Sequence, residues 1–274
     1  MTKKRFILLI GVLGMLFLIG CAKEKKPGNG GETSNSALTP TGSVSVPGGE
    51  NQKEDKVLSY FYKEEKEESK DGDMVYFTSC LSYPVFEGDN AEHMNRFVEE
   101  IVCDFREWLP EAKENAFMDY EDAKGTEYID LIVRESEEFI VNCMWRDEQV
   151  QVLFCSSYSY TGGAHPNTFF TAYVVDLKEG VRIPIETVLN KYAISKDDLA
   201  SYVADRLSEE AEDGLFLEGE DLKNEVLRFM EDDQWYLMEN GIKVFANPYD
   251  IAPYAAGMLE CEISYKVLEE GLKK

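Results

Sequence analysis

Histidine is scarce in this chain, with His93 and His165 the only two in 274 residues. A zinc or other catalytic metal centre needs several imidazole, thiolate or carboxylate ligands converging on one ion. Two histidines, and six cysteines with no C-x-x-C pair, offer no such spacing, so no metal and no cofactor is expected. The G-x-S-x-G elbow of α/β-hydrolases is missing as well. Basic residues are also few: Lys and Arg total 28 against 53 Asp and Glu, a formal charge of -25. That balance excludes nucleic acid and anionic lipid surfaces as partners and favours cationic ones.

One long apolar run is present, and it sits at the start. Lys3, Lys4 and Arg5 precede Phe6 to Gly20, which is short of the ~20 residues a membrane-spanning helix requires. The run reads as a signal peptide covering residues 1–20. Its end, Leu18-Ile19-Gly20-Cys21, resembles a bacterial lipobox, so Cys21 is expected to carry a diacylglycerol and hold the chain on the outer side of the cell membrane. Loss of the leader takes the formal charge to -28. Residues 21–56 are rich in Gly, Pro, Ser, Thr, Asn and charge, and they read as a flexible tether. Residues 57–270 are long enough for a cored module, with a division near residue 160 as one arrangement. Five cysteines remain there: Cys80, Cys103, Cys143, Cys155 and Cys261. Most are expected to act as small core residues, and one disulfide is compatible with an exported chain.

The module alternates between strand and helix patterns. Leu58–Lys63 and Met74–Tyr83 read as strands. Met94, Phe97, Val98, Ile101, Phe105 and Trp108 then form one helical stripe, with Asp89 and Glu92 as a cap and Pro110 as the stop. Cys103 falls opposite that stripe, and His93 reads as a surface residue. Strands are expected over Tyr128–Arg134, Glu138–Trp145, Gln149–Tyr160 and Phe169–Leu177, with a hairpin at Arg146-Asp147-Glu148. Ser195 and Asp198 open a helix, and a second spans Asp221–Met230. Asn240-Gly241 marks a hairpin before the last strand pattern, "MLECEISYKVL". The order predicts an α+β fold, an antiparallel sheet with helices packed on one side.

Two loops stand out from this pattern. "YTGGAHP" places Tyr160, Thr161, Gly162, Gly163, Ala164, His165 and Pro166 between two strands, and "NPYDIAPYAAG" carries Pro253 and Tyr254 after the last hairpin. Ser156, Ser157, Ser159 and Thr161 are near enough to His165 in sequence for a hydroxyl–imidazole pair, the basis of a hydrolase reading. A glycosidase would need two carboxylates that cannot be singled out among 53 acids. As a plain turn, the two glycines supply positive φ and His165 satisfies a backbone group. As a recognition loop, the tyrosines and phenylalanines around it supply rigid contact area. Core packing of those rings and recognition by them both remain open on the sequence.

The two motifs, in this order, resemble the extracellular domain of RsiV-type anti-sigma factors. They are also similar to the non-catalytic module of PdaC-type polysaccharide deacetylases, and the likeness spans about Lys56 to Leu268. The resemblance implies an envelope-binding module, not an enzyme, whose loops recognise a cationic lysozyme-like muramidase. The alternative partner is a peptidoglycan or glycan fragment stacked on Tyr160 and Tyr254. The chain departs from the anti-sigma pattern in having five residues before its apolar run, and no deacetylase domain follows. The sigma-regulating and deacetylating activities are therefore not expected here.

Overall fold

The computed structural model describes residues 58–129, 134–210 and 214–273. The leader, Cys21 and the tether lie outside the described residues. Strands β1 (Ser59–Asp71) and β2 (Met74–Glu87) form a long antiparallel hairpin. β1 is the edge of the sheet, and its alternating Lys and Glu residues discourage further strands from adding there.

Helix α1 runs from Ala91 to Ala123, straight through Pro110. A proline inside a helix forfeits one hydrogen bond and costs ~3 kcal/mol. Here Pro110 is exposed, and the buried stripe of Met94, Val98, Val102 and Phe105 continues beyond it as Ala112, Ala116 and Tyr120. Those contacts outweigh the loss, and small alanines hid them from the apolar periodicity. The Asp89–Glu92 cap does not form. Asn90 takes the N-cap position at φ 63, and the chain entry is held by Asn95, whose amide bonds both Phe86 N (2.7 Å) and Phe86 O (2.9 Å). His93 is not a plain surface residue either. Its Nδ1 lies 2.7 Å from the Lys178 carbonyl, and its backbone packs so closely on Gly180 that a Cβ there would sit 2.6 Å from the His93 oxygen.

Strand β3 (Glu135–Arg146) pairs in parallel with β2, so α1 is the crossover between them. The strand expected over Tyr128–Arg134 is displaced. Tyr128 lies in a turn, Ile129 in a single turn of tight helix, and residues 130–133 fall outside the described residues. β4 (Val150–Tyr160) returns antiparallel after the turn at Asp147, whose carboxylate accepts the Gln149 and Val150 N–H groups. β5 (Asn167–Asp176) and the short β6 (Val181–Arg182) complete a sheet of order β1-β2-β3-β4-β5-β6. The fold is α+β, with a largely antiparallel principal sheet.

On β4 both alternation sets are buried. Leu153 and Cys155 join the core under α1, while Val152 joins a second core on the opposite face. That second core contains a three-stranded sheet, β7 (Trp235–Met238), β8 (Gly241–Ala246) and β9 (Leu259–Ser264). Tyr236 and Phe245 meet Phe154, each with ring centroids 5.8 Å away. Ile242, Val244 and Ile263, on the alternate positions, are fully buried beside Leu199 and Val203 of α3 (Lys196–Glu210) and Leu222, Val226 and Phe229 of α4 (Gly219–Glu231). Each such side chain contributes roughly 1.5–3 kcal/mol through burial. Helices thus lie at both ends of the layer stack, α1 against the large sheet and α3 with α4 against the small one. Short helices α2 (Ile185–Leu189) and α5 (Tyr265–Glu269) fill the remaining corners.

The local signals at the chain turns are realised. Ser195 Oγ accepts the Asp198 N–H (3.0 Å) at the start of α3. The Asn240-Gly241 hairpin joins β7 to β8, and Gly241 lies against the Ile263 backbone with no room for a Cβ. Cys80, Cys103, Cys143 and Cys155 are free thiols, Cys155 buried and Cys103 exposed, and Cys261 is buried. No helix among the described residues is long and apolar enough to cross a membrane.

Candidate functional site

The segment from Thr161 to Pro166 connects β4 to β5 within one hairpin. Gly162 (φ 100) and Gly163 (φ 98) both take backbone conformations that other residues resist. The Tyr160 hydroxyl donates to the Gly163 carbonyl at 3.2 Å, closing the bend. Thr161, Gly163 and Ala164 are exposed, and His165 and Pro166 are half-buried.

The second loop follows β8 and is braced from within. Asp250 accepts from the Asn247 N–H (2.8 Å) and from Gln234 Nε2 (2.6 Å). Burial pushes its carboxyl above the usual range, opposed by these hydrogen bonds and by Arg228. Ile251 is fully buried and its carbonyl accepts the Phe216 N–H at 2.7 Å. Pro253 is exposed and leads into a tight helical turn over Tyr254–Ala256, ended by Gly257 at φ 68.

One side chain ties the loops together. Asn247 accepts the Phe170 N–H (2.7 Å) and donates to the Phe170 carbonyl (3.1 Å), occupying the open edge of β5 as a neighbouring strand would. The consequence is that His165 and Tyr254 stack face to face, with centroids 3.8 Å apart and planes 10° apart. Tyr249 completes the cluster: its hydroxyl is 2.9 Å from His165 Nε2, and its ring is 5.7 Å from Tyr254. His165 Nδ1 lies 3.0 Å from the Pro166 carbonyl. A carbonyl only accepts, so Nδ1 carries a proton, and in the neutral ring Nε2 accepts from Tyr249.

This arrangement engages both ring nitrogens of His165, and neither partner is a serine or threonine. Ser159 points to the other face of the sheet, where it donates to Glu137 at 2.7 Å. No group of three or more His, Cys, Asp or Glu positioned for a metal occurs among the described residues. Cavities of 280–390 Å³ flank β1, β2 and α1, and another of 360 Å³ lies beside Tyr192 and Leu272; none is lined by either loop.

Of the sequence-predicted residues, His165, Pro166, Tyr160 and Tyr254 are drawn into or beside the cluster. Pro253, Thr161, Gly163 and Ala164 form its exposed rim. Tyr249, Asn247 and Asp250 were not singled out by the sequence reading. Their signal is the tetrapeptide Asn-Pro-Tyr-Asp, in which an Asn and an Asp three residues apart can bond backbone and fix a turn. Tyr249 also stands at φ 73, a left-handed conformation costly for a bulky residue, while its ring is 54% exposed.

Residues 189–266 match DUF3298, a family described as protein of unknown function. The Asn247–Gly257 loop lies inside the matched region, and the glycine–histidine loop precedes it. A DUF3298 family member from Bacteroides fragilis has a similar structure, with TM-score 0.50 and 17% identity over 79% of this chain and 94% of that one. This likeness extends the shared fold well beyond the DUF3298 match. A DUF3298 family protein from Pseudomonas aeruginosa aligns with TM-score 0.44 and 15% identity over 78% and 92% of the two chains. No curated protein matches the chain.

Proposed function

We propose that this chain is a lipid-anchored envelope module that binds a cationic, lysozyme-like muramidase through the paired loops. One observation carries the reading: three aromatic rings from two loops, His165 and Tyr249 being 84 residues apart, form a braced cluster with exposed edges. Rings held in this way give contact area at small entropic cost, which is how binding hot spots are built. A surface projecting from loops, with no cavity of its own among those above, suits insertion into a concave partner such as an enzyme cleft. The formal charge of -25 raises the encounter rate with a basic protein. The partners of His165, a backbone carbonyl and a tyrosine hydroxyl rather than a serine or threonine, support binding over hydroxyl-based catalysis. Membrane attachment through Cys21 would place the module where such enzymes act.

The test is capture of a lysozyme by the detergent-solubilised chain at increasing salt. Association should slow steeply between 50 and 500 mM salt, as expected for a steered charged encounter, on the order of tenfold or more. His165→Ala and Tyr254→Ala should each weaken capture by roughly 2 kcal/mol if they are hot spots. Salt-independent capture, or capture unaffected by either substitution, would remove the proposal.

A further inference from the structure

Two acids are buried under α1, away from the loop cluster. Glu135 is 6% exposed and Glu137 4%, and they are the only buried carboxylates among the described residues. They stand at alternate positions of β3 and so share one face of the sheet. Glu137 accepts from Ser159 Oγ at 2.7 Å and from the Trp108 indole. Glu135 is met instead by a second acid, Asp119 of α1. Two carboxyl groups can hydrogen-bond only while one of them keeps its proton.

No positive charge compensates the pair. The register sets Phe77 and Ser79 of β2 beside Glu135 and Glu137, with Ser69 and Glu67 beyond them on β1. On the helix, Lys113 is engaged by Glu67 and Lys124 by Asp71, both at the surface. Ser69 Oγ is buried with no hydrogen-bond partner. Lys243 shows the ordinary arrangement for a buried charge, with Glu260 and Glu262 within 2.8 and 2.9 Å.

The half of α1 that closes over these acids is the lightly packed half. Before Pro110, Met94, Val98, Val102 and Phe105 enter the core between helix and sheet. Beyond it, Ala112 and Ala116 meet Phe77 in a separate small cluster, and Tyr120 stacks on Tyr76 and donates to Asp71 at 3.0 Å. At ~0.8 kcal/mol per buried CH2 group, an alanine contributes far less than a valine or phenylalanine. Pro110 has no N–H for the Arg106 carbonyl, so the helix bends most easily at the junction of the two halves.

We infer that Glu135 and Asp119 form a proton-operated latch that holds the second half of α1 on the sheet, with Pro110 as its hinge. With its proton, Glu135 donates to Asp119 and the helix is docked. When that proton passes to solvent, the charge of Glu135 is added to those of Asp119 and Glu137, and residues 111–123 lift away to let water reach it. Burial, then Asp119 and Glu137, push the Glu135 carboxyl up to about 7. A carboxyl raised in the docked form stabilises docking in acid, and that contribution is lost as the pH rises from about 4.5 through 7. The latch is therefore closed in acid and opens above neutrality. It does not depend on the muramidase reading.

The test is amide hydrogen exchange of the detergent-solubilised full chain at pH 5.5 and pH 8.5, corrected for the intrinsic pH dependence of exchange. Protection of residues 111–123 should fall by roughly tenfold or more at the higher pH, while residues 94–105 stay within about twofold. Glu135→Gln cannot ionise and can still donate to Asp119, so it should keep residues 111–123 protected at both pH values. Asp119→Asn places an amide donor against the ionised Glu135 and should likewise suppress most of the fall. Asp119 is exposed, so this variant decides should Glu135→Gln fail to fold. Equal protection of 111–123 at the two pH values in wild type would overturn the latch, as would a pH effect that survives in the folded variants. Parallel loss of protection over residues 94–105 would also overturn it, because the whole helix would then be loosening without a hinge.

Discussion

Tyr249 offers a substitution whose effects on stability and on binding should part company. Its backbone sits at φ 73, and its hydroxyl bonds His165 Nε2 at the protein surface. A residue with a Cβ pays roughly 1–2 kcal/mol in the left-handed region, which glycine avoids. Glycine in turn loses about 0.5–1 kcal/mol more entropy on folding than alanine. Tyr249→Gly should therefore be about 0.5–1 kcal/mol more stable than Tyr249→Ala, although both lack the ring. Relative to wild type, alanine forfeits one partly exposed hydrogen bond and a ring contact, on the order of 1 kcal/mol. Glycine should nearly match wild type. Binding should behave otherwise, because both variants lose the ring that fixes the His165 edge. Lysozyme capture should weaken by ~2 kcal/mol in each if that ring is a hot spot. Urea denaturation of the three proteins, read beside their capture affinities, checks both halves. An alanine variant as stable as the glycine variant would mean that position 249 is not held left-handed. Intact capture in both would mean that the cluster is a loop brace and nothing more.

Asn247→Ala should leave the partly buried Phe170 N–H and C=O without partners, destabilising by about 2 kcal/mol, the lower end of roughly 1–3 kcal/mol for each group; amide exchange at Phe170 should rise, and unchanged exchange would refute its role as a surrogate strand. Glu135 is held with its carboxyl pushed up to about 7, chiefly by burial and then by Asp119 and Glu137. A folded-state value above the unfolded one gives stability that is present in acid and lost as pH rises from about 4.5 to 7. Burial raises Asp233, to about 6, in the same direction, while Glu65, drawn down to about 2 chiefly by Arg106, is ionised throughout that window. The melting temperature should therefore fall from pH 5 to pH 7.5, and Glu135→Gln should flatten that fall; an unchanged slope would contradict the assignment. At the anchor, Cys21→Ser should abolish labelling by a palmitate analogue and release the protein from membranes, whereas persistent labelling would remove the lipobox reading.

The legible parts of the fold were those specified locally. Ser195 with Asp198 and Asn240 with Gly241 each act within a few residues, and each appears as its chemistry requires. The illegible parts depended on distant contacts. Pro110 looks like a helix stop until Ala112 and Ala116 are seen against Phe77. The parallel pairing of β2 with β3 depends on where α1 lands. Much of the same holds for the loops: glycine, histidine and proline marked the first, and Pro253 with Tyr254 the second. The parts that unite them, Asn247 on the edge of β5 and Tyr249 against His165, exist only once β5 and β8 are neighbours. Asn-Pro-Tyr-Asp was readable as a turn, but not as a clamp on a strand 77 residues earlier.

The central claim is that the two loops act as one binding surface, and a double-mutant cycle tests it most directly. Capture of a lysozyme is measured for wild type, His165→Ala, Tyr254→Ala and the double variant, with the melting temperature of each recorded alongside. Stacked rings touching one ligand region should be coupled, so the double variant should lose less than the sum of the single losses, by 0.5 kcal/mol or more. Additive losses, or no loss in folded protein, would contradict the account.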